Sequence, residues 1–172
     1  MFININNEKQ KDELQQVDTK IKSLFGEIPS NFKLLGNIDV NILKEFLTYV
    51  YKLMNHKTIN PDYFGFLRLF IAYQENFKYC IGFNTMLLQK RNYDDKIINN
   101  MKKDISKIPF DDKHKLLAIK SIKAIFESIN FNQKDFNELY KIGWSDKDIF
   151  DSIEHTGFML RNGRMLVAYS IK

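Results

Sequence analysis

The chain has 172 residues, with 26 Lys and Arg against 21 Asp and Glu for a formal net charge of +5. It holds one cysteine, three prolines and seven glycines, and no apolar run approaches the roughly 20 residues a membrane helix needs. One cysteine excludes an intrachain disulfide, the scarcity of Pro and Gly disfavours a loop-rich or all-β fold, and the length suits one domain with an ordinary core.

Residues 8–25 read as an amphipathic helix, with Leu14, Val17, Ile21 and Leu24 at three-and-four spacing and Gly26 as the stop. Pro29 opens a short segment with Phe32, Leu34 and Leu35, which Gly36 and Asn37 are expected to break. Asp39 then caps a helix built on Leu43, Phe46, Leu47, Val50 and Met54, expected to end near Asn55-His56-Lys57. Asn60-Pro61-Asp62 is a strong helix start, with Asn as cap, Pro in the first turn and an acid beside it.

The helix opened at Asn60 is apolar nearly all round, from Phe64 to Tyr73, and therefore central or in an interface. A polar break at Gln74-Glu75-Asn76 precedes a second helix, Phe77 to Gln89, expected to complete the central pair. Asn92 to Asp95 reads as loop and cap, and Ile97, Ile98, Met101 and Ile105 mark a short helix ending before Pro109. Asp111 or Asp112 caps a longer helix through Ile129, and Asn132 caps one closed by Gly143. Ser145-Asp146-Lys147-Asp148 has the spacing of a capping box before the last helix, Ile149 to about Ser170. With no strand alternation, linker or repeat, the fold class is all-α, in a single domain spanning residues 1–172 with about seven to nine helices.

The basic clusters, Lys102-Lys103 and Lys113 to Lys123, lie at helical spacing among acids, which favours solvated helix faces over a nucleic-acid surface. The first residues, Met1 to Asp12, lack the apolar core of a signal peptide, and a lone cysteine suits a reducing compartment, so the expectation is a cytoplasmic protein. Cys80 falls near the first turn of its helix, where backbone N–H groups favour a thiolate, with Asn84 four residues on and on the same face. Lys78 would lower its pKa, whereas Phe77, Ile81 and Phe83 would raise it by desolvation. Glu75 reads as a solvated or capping residue at the helix junction, although it is also the nearest acid to Cys80. His56, His114 and His155 are isolated in sequence; no pair has metal-ligand spacing, and no cofactor motif is present. Gly157 and Gly163 in the last helix permit either a close helix approach or a break.

Several stretches, in order, resemble the AhpD-like alkylhydroperoxidase and carboxymuconolactone decarboxylase family over nearly the whole chain. Ile28-Pro29-x-x-Phe32 resembles the entry segment of its peroxidase-related branch, and Tyr79-Cys80-Ile81-Gly82-Phe83-Asn84-Thr85 the second half of its Cys-x-x-Cys-x-x-x-His signature. Phe110-Asp111 with the Lys115 to Ile125 helix, Asp135-Phe136, Gly143-Trp144-Ser145-Asp146-Lys147-Asp148-Ile149 and Asn162-Gly163-Arg164 resemble its later landmarks.

The resemblance implies an all-helical homo-oligomer with the motif helix near a subunit interface, and a thiol peroxidase relay of one glutamate, two cysteines and a histidine. Here Gly65 stands at the glutamate position, Phe77 at the first cysteine, Cys80 at the second and Asn84 at the histidine. Phenylalanine cannot resolve a sulfenic acid, and asparagine cannot act as a general base near neutral pH. The reading is an AhpD-like protein without the two-cysteine cycle, catalytically degenerate or acting in structure or binding, with no cofactor and no metal. The alternatives are a one-cysteine thiol peroxidase or redox sensor, with Cys80 as catalytic residue and an external thiol as reductant, and a decarboxylase-like lyase. No membrane partner is expected, and a nucleic-acid partner rests on net charge alone.

Overall fold

The computed structural model describes residues 10–171. Among them are nine α-helices, two 3-10 turns and no strand, as the periodicity predicts. Residues 8 and 9 of the first expected helix lie outside the described residues. The described residues form two compact units, the part up to residue 54 with the part from 166 onward, and residues 55–165.

In the first unit, α1 (Lys11–Phe25) stops at Gly26, whose φ of 83° is the left-handed cap that favours glycine. The next helix is a correction: α2 (Ser30–Ile38) runs straight through Gly36 and Asn37. An alanine Cβ at Gly36 would lie 2.6 Å from Leu14 Cδ1 and 3.0 Å from Leu43 Cδ2, so this glycine lets three helices approach rather than ending one. Asp39 then receives Asn41 N–H at 2.8 Å and opens α3 (Val40–Met54). Gln10 also holds this corner, donating to Asp39 at 3.1 Å and accepting from Val40 N–H at 3.1 Å. Phe32 stacks edge-on against Phe25 and Phe46, each at 5.6 Å, and Leu34, Leu35, Val40 and Leu43 are buried in the same unit.

The second unit is built on α4 (Pro61–Gln74), capped by Asn60, which accepts from Asp62 N–H at 2.9 Å. Nine of its fourteen residues are buried, from Tyr63 to Ala72, so the expected central helix is present. Asn76, with φ of 56°, takes the left-handed turn that leads into α5 (Lys78–Lys90). This second helix is less central than expected. It buries one stripe, Cys80, Asn84 and Leu88, and leaves Tyr79, Ile81, Phe83, Met86 and Leu87 half-buried.

α6 (Asp95–Lys103) is capped by Asp94, α7 (Asp112–Phe126) by Asp111 and α8 (Gln133–Lys141) by a capping box of Asn132 with Asp135. Gly143, at φ of 89°, ends the turn after α8, and Ser145 with Asp148 caps α9 (Asp146–Ala168), which starts three residues before the expected Ile149. Gly157 and Gly163 lie inside this helix without breaking it, so close approach is the role they take. No helix of the described residues is long and apolar enough to cross a membrane.

Candidate functional site

The relay positions lie on α4 and α5, beside α9. Cys80, the third residue of α5, is 5% exposed. Burial pushes its thiol from an ordinary 9.0 up to about 11, so desolvation outweighs the helix N-terminus. Asn84 does share its face, but the amide reaches the backbone and not the sulfur: Nδ2 donates to the Cys80 carbonyl at 2.8 Å. Among the described residues no imidazole or carboxylate hydrogen-bonds the sulfur, and Glu75 instead pairs with Arg164 at 3.3 Å. Glu75 is thus at the helix junction, as expected, held by α9.

The other face of Asn84 leads to a residue that sequence reasoning passed over. Arg68 Nε donates to Asn84 Oδ1 at 2.9 Å, and its Nη1 lies 3.3 Å from His155 Nε2. A guanidinium only donates, so both Asn84 Oδ1 and His155 Nε2 are acceptors here. His155 is 1% exposed, and burial, with the Arg68 charge next, holds its pKa well below the ordinary histidine range. A hydrogen bond to the Phe64 backbone and ring contacts with Phe64 at 5.2 Å and Phe158 at 6.1 Å fix the neutral imidazole. One wire therefore joins α4, α5 and α9, from the Phe64 backbone through His155, Arg68 and Asn84 to the Cys80 carbonyl. Its signal in the sequence was Arg68 itself, the only charge between Asp62 and Glu75 in an otherwise apolar helix.

The remaining relay positions are filled by packing. The Phe77 ring, 6% exposed, lies so close to Gly163 that a Cβ there would be 2.1 Å from two ring carbons and 2.9 Å from a third. At Gly65 a Cβ would meet Leu88 Cδ2 at 3.2 Å and Arg68 Nη2 at 3.7 Å. A glutamate at position 65 would have to displace them. The aromatic residues Tyr63, Phe64, Phe66, Phe70 and Phe77 form core.

The other histidines have separate roles. His56 Nε2 lies 3.1 Å from Asp151 and 4.0 Å from Asp148, while its Nδ1 accepts from Ile59 N–H at 3.0 Å, pinning the residues ahead of α4 to the start of α9. Thr58 adds a hydrogen bond to Asp148. His114 pairs with its helix cap Asp111 at 2.7 Å and meets Trp144 edge-on at 5.0 Å. Tyr63 continues the polar interior, its hydroxyl 2.7 Å from Ser152, which is 2.6 Å from Ser121. Among the described residues no group of three or more His, Cys, Asp or Glu side chains is gathered to hold a metal.

No family model and no curated protein matches the sequence. Solved structures do. The chain is similar to an uncharacterized peroxidase-related protein from Silicibacter sp. TM1040, with a TM-score of 0.85 at 17% identity over 99% of this chain and 90% of that one. It is also similar to an alkylhydroperoxidase AhpD core, an uncharacterized peroxidase-related protein from Ralstonia eutropha JMP134, with a TM-score of 0.77 at 18% identity over 91% and 83%. At such identities the likeness is one of fold: the chain has an AhpD-like helical fold.

Proposed function

We propose that this chain is an AhpD-like protein without the two-cysteine peroxidase cycle, in which the relay positions serve structure. The observation that carries this reading is Asn84. Its oxygen accepts from Arg68 and its nitrogen donates to the Cys80 carbonyl, so the residue at the histidine position is held by the backbone and by α4, and an amide supplies no general base to the sulfur. A thiol at about 11 beside it is protonated at neutral pH, and thiolate is the form that attacks peroxide. Phe77 and Gly163 support the same reading, since a ring seated on a helix backbone leaves no resolving group at that position. Self-association of the chain belongs to this proposal.

The alternative, a one-cysteine peroxidase or redox sensor that uses Cys80 and an external thiol, is favoured by the place of Cys80 in the first turn of α5. Alkylation of Cys80 followed against pH separates the two. Below both pKa values, a shift from 9.0 to about 11 lowers the thiolate fraction about 100-fold. The expected result is modification about 100-fold slower in the native chain than in the urea-unfolded chain, still rising above pH 9. An inflection at or below about 8.5 would favour the redox reading.

A further inference from the structure

The hydrogen bonds around His155 are directional, and a single proton reverses one of them. Nε2 faces Arg68 and accepts from Nη1 at 3.3 Å, so the bond to the Phe64 backbone falls to Nδ1, as donor. Protonation therefore adds its hydrogen at Nε2. That nitrogen then has no lone pair for the guanidinium, and two cations face each other across the same 3.3 Å. Arg68 is half-buried and can turn toward water, whereas His155 is 1% exposed and cannot.

What Arg68 lets go is an anchor of α5. Asn84 Oδ1 accepts from Arg68 Nε at 2.9 Å while Nδ2 donates to the Cys80 carbonyl at 2.8 Å, so one amide ties the first turn of α5 to α4. The turn is weak on its own. Phe77 supplies no side-chain cap, Lys78 puts a cation at the positive end of the helix dipole, and exposed Gly82 has nothing within 4 Å of an added Cβ. The stretch is pinned at its ends, where Phe77 lies against Gly163 and Leu88 against Gly65. Between those pins, Lys78 to Asn84 can open while the rest of the unit stays folded.

Among the described residues, α4 faces the imidazole with the Arg68 guanidinium, and α5 brings the neutral amide of Asn84 and the thiol of Cys80. On α9 itself, half-buried Glu154 is the next residue back, and Asp151 lies one turn earlier with its carboxylate engaged by His56 at 3.1 Å and by Lys147. Arg161 lies further along α9, 4.9 Å over the Phe158 ring. We propose that protonation of His155 breaks its link to Arg68, releases Asn84 and opens α5 from Lys78 to Asn84, uncovering Cys80 in acid. This switch rests on Asn84 serving structure rather than catalysis. Burial and Arg68 hold the pKa of the closed imidazole well below the open value near 6.5. Closure is therefore favoured above that pH and is lost as pH falls toward the closed value.

Labelling of Cys80 in the full chain with a dipyridyl disulfide, a reagent that stays reactive in acid, tests the switch. Rates between roughly pH 7.5 and 5 are divided by those of the urea-unfolded chain at the same pH, so that access alone is read. Protection should fall by up to about tenfold per pH unit below about pH 6.5 in the wild type. It should stay level in His155→Gln, whose amide keeps an acceptor for Arg68. At each pH, Cys80 should be protected about tenfold or more below the buried Leu117 amide of α7, with a shallower urea dependence, because a local opening exposes little surface. Level protection in the wild type, a fall that persists in His155→Gln, or protection and urea dependence equal to those of Leu117 would each overturn the switch. The pH profile of the thiol separates the two claims. An inflection at or below about 8.5 sinks the structural reading and the switch with it, whereas level protection beside a thiol at about 11 sinks the switch alone.

Discussion

Gly163 should change the sign of its own substitution according to what stands at position 77. In a helix interior, Gly→Ala ordinarily stabilises by about 1 kcal/mol through backbone entropy. Here the new methyl would sit 2.1 Å from two carbons of the Phe77 ring, well inside contact distance, and the ring is buried. Overpacking of this kind costs about 1–3 kcal/mol, and a ring that moves off α9 loses part of its burial as well. Gly163→Ala in the wild-type background is therefore expected to be destabilising by about 1–2 kcal/mol net. Phe77→Ala alone removes a buried ring at a cost of about 3–5 kcal/mol. In that background the obstacle is gone, and adding Gly163→Ala should stabilise by up to about 1 kcal/mol. Urea unfolding of the four proteins closes the double-mutant cycle, with a coupling of about 2–3 kcal/mol expected. Equal effects of Gly163→Ala in both backgrounds would refute the claim that Phe77 is seated on α9.

Acid should weaken the fold through His155. Its folded pKa lies below the unfolded value near 6.5, so its contribution is complete above about pH 6.5 and falls by up to about 1.4 kcal/mol per pH unit as pH drops toward the folded pKa. The loss in urea midpoint between roughly pH 7.5 and 5.5 should shrink in His155→Gln; an unchanged loss would remove His155 as its source. Arg68→Met takes a cation from beside the imidazole, so NMR titration should find His155 protonating at higher pH in the variant than in the wild type. Asn84→Ala cuts the wire at its centre and leaves Arg68 Nε without that acceptor, for an expected loss of about 1–3 kcal/mol by chemical denaturation.

The local chemistry of helix ends was legible in the sequence because a cap is decided within four residues. Asn60, Asp111 and Asn132 all cap where their spacing says they should. Gly36 was misread for the opposite reason. Its meaning depends on Leu14 and Leu43, which no local rule brings beside it. The same limit applied to α5, read as one of a central pair, in which only every fourth residue, Cys80, Asn84 and Leu88, is buried. At the site, periodicity correctly put Cys80 and Asn84 on one face. It could not say that the amide would turn to a backbone carbonyl, because that choice is made by Arg68 from another helix. His155 lies 87 residues from Arg68 in the chain, and only the fold joins them.

The sulfur of Cys80 is a buried, protonated thiol with no imidazole or carboxylate partner among the described residues. Hydroperoxide consumption by the purified chain with a dithiol reductant tests it directly, with Cys80→Ser measured in parallel. The two proteins should consume peroxide at the same background rate. Turnover by the wild type that disappears in Cys80→Ser would contradict it.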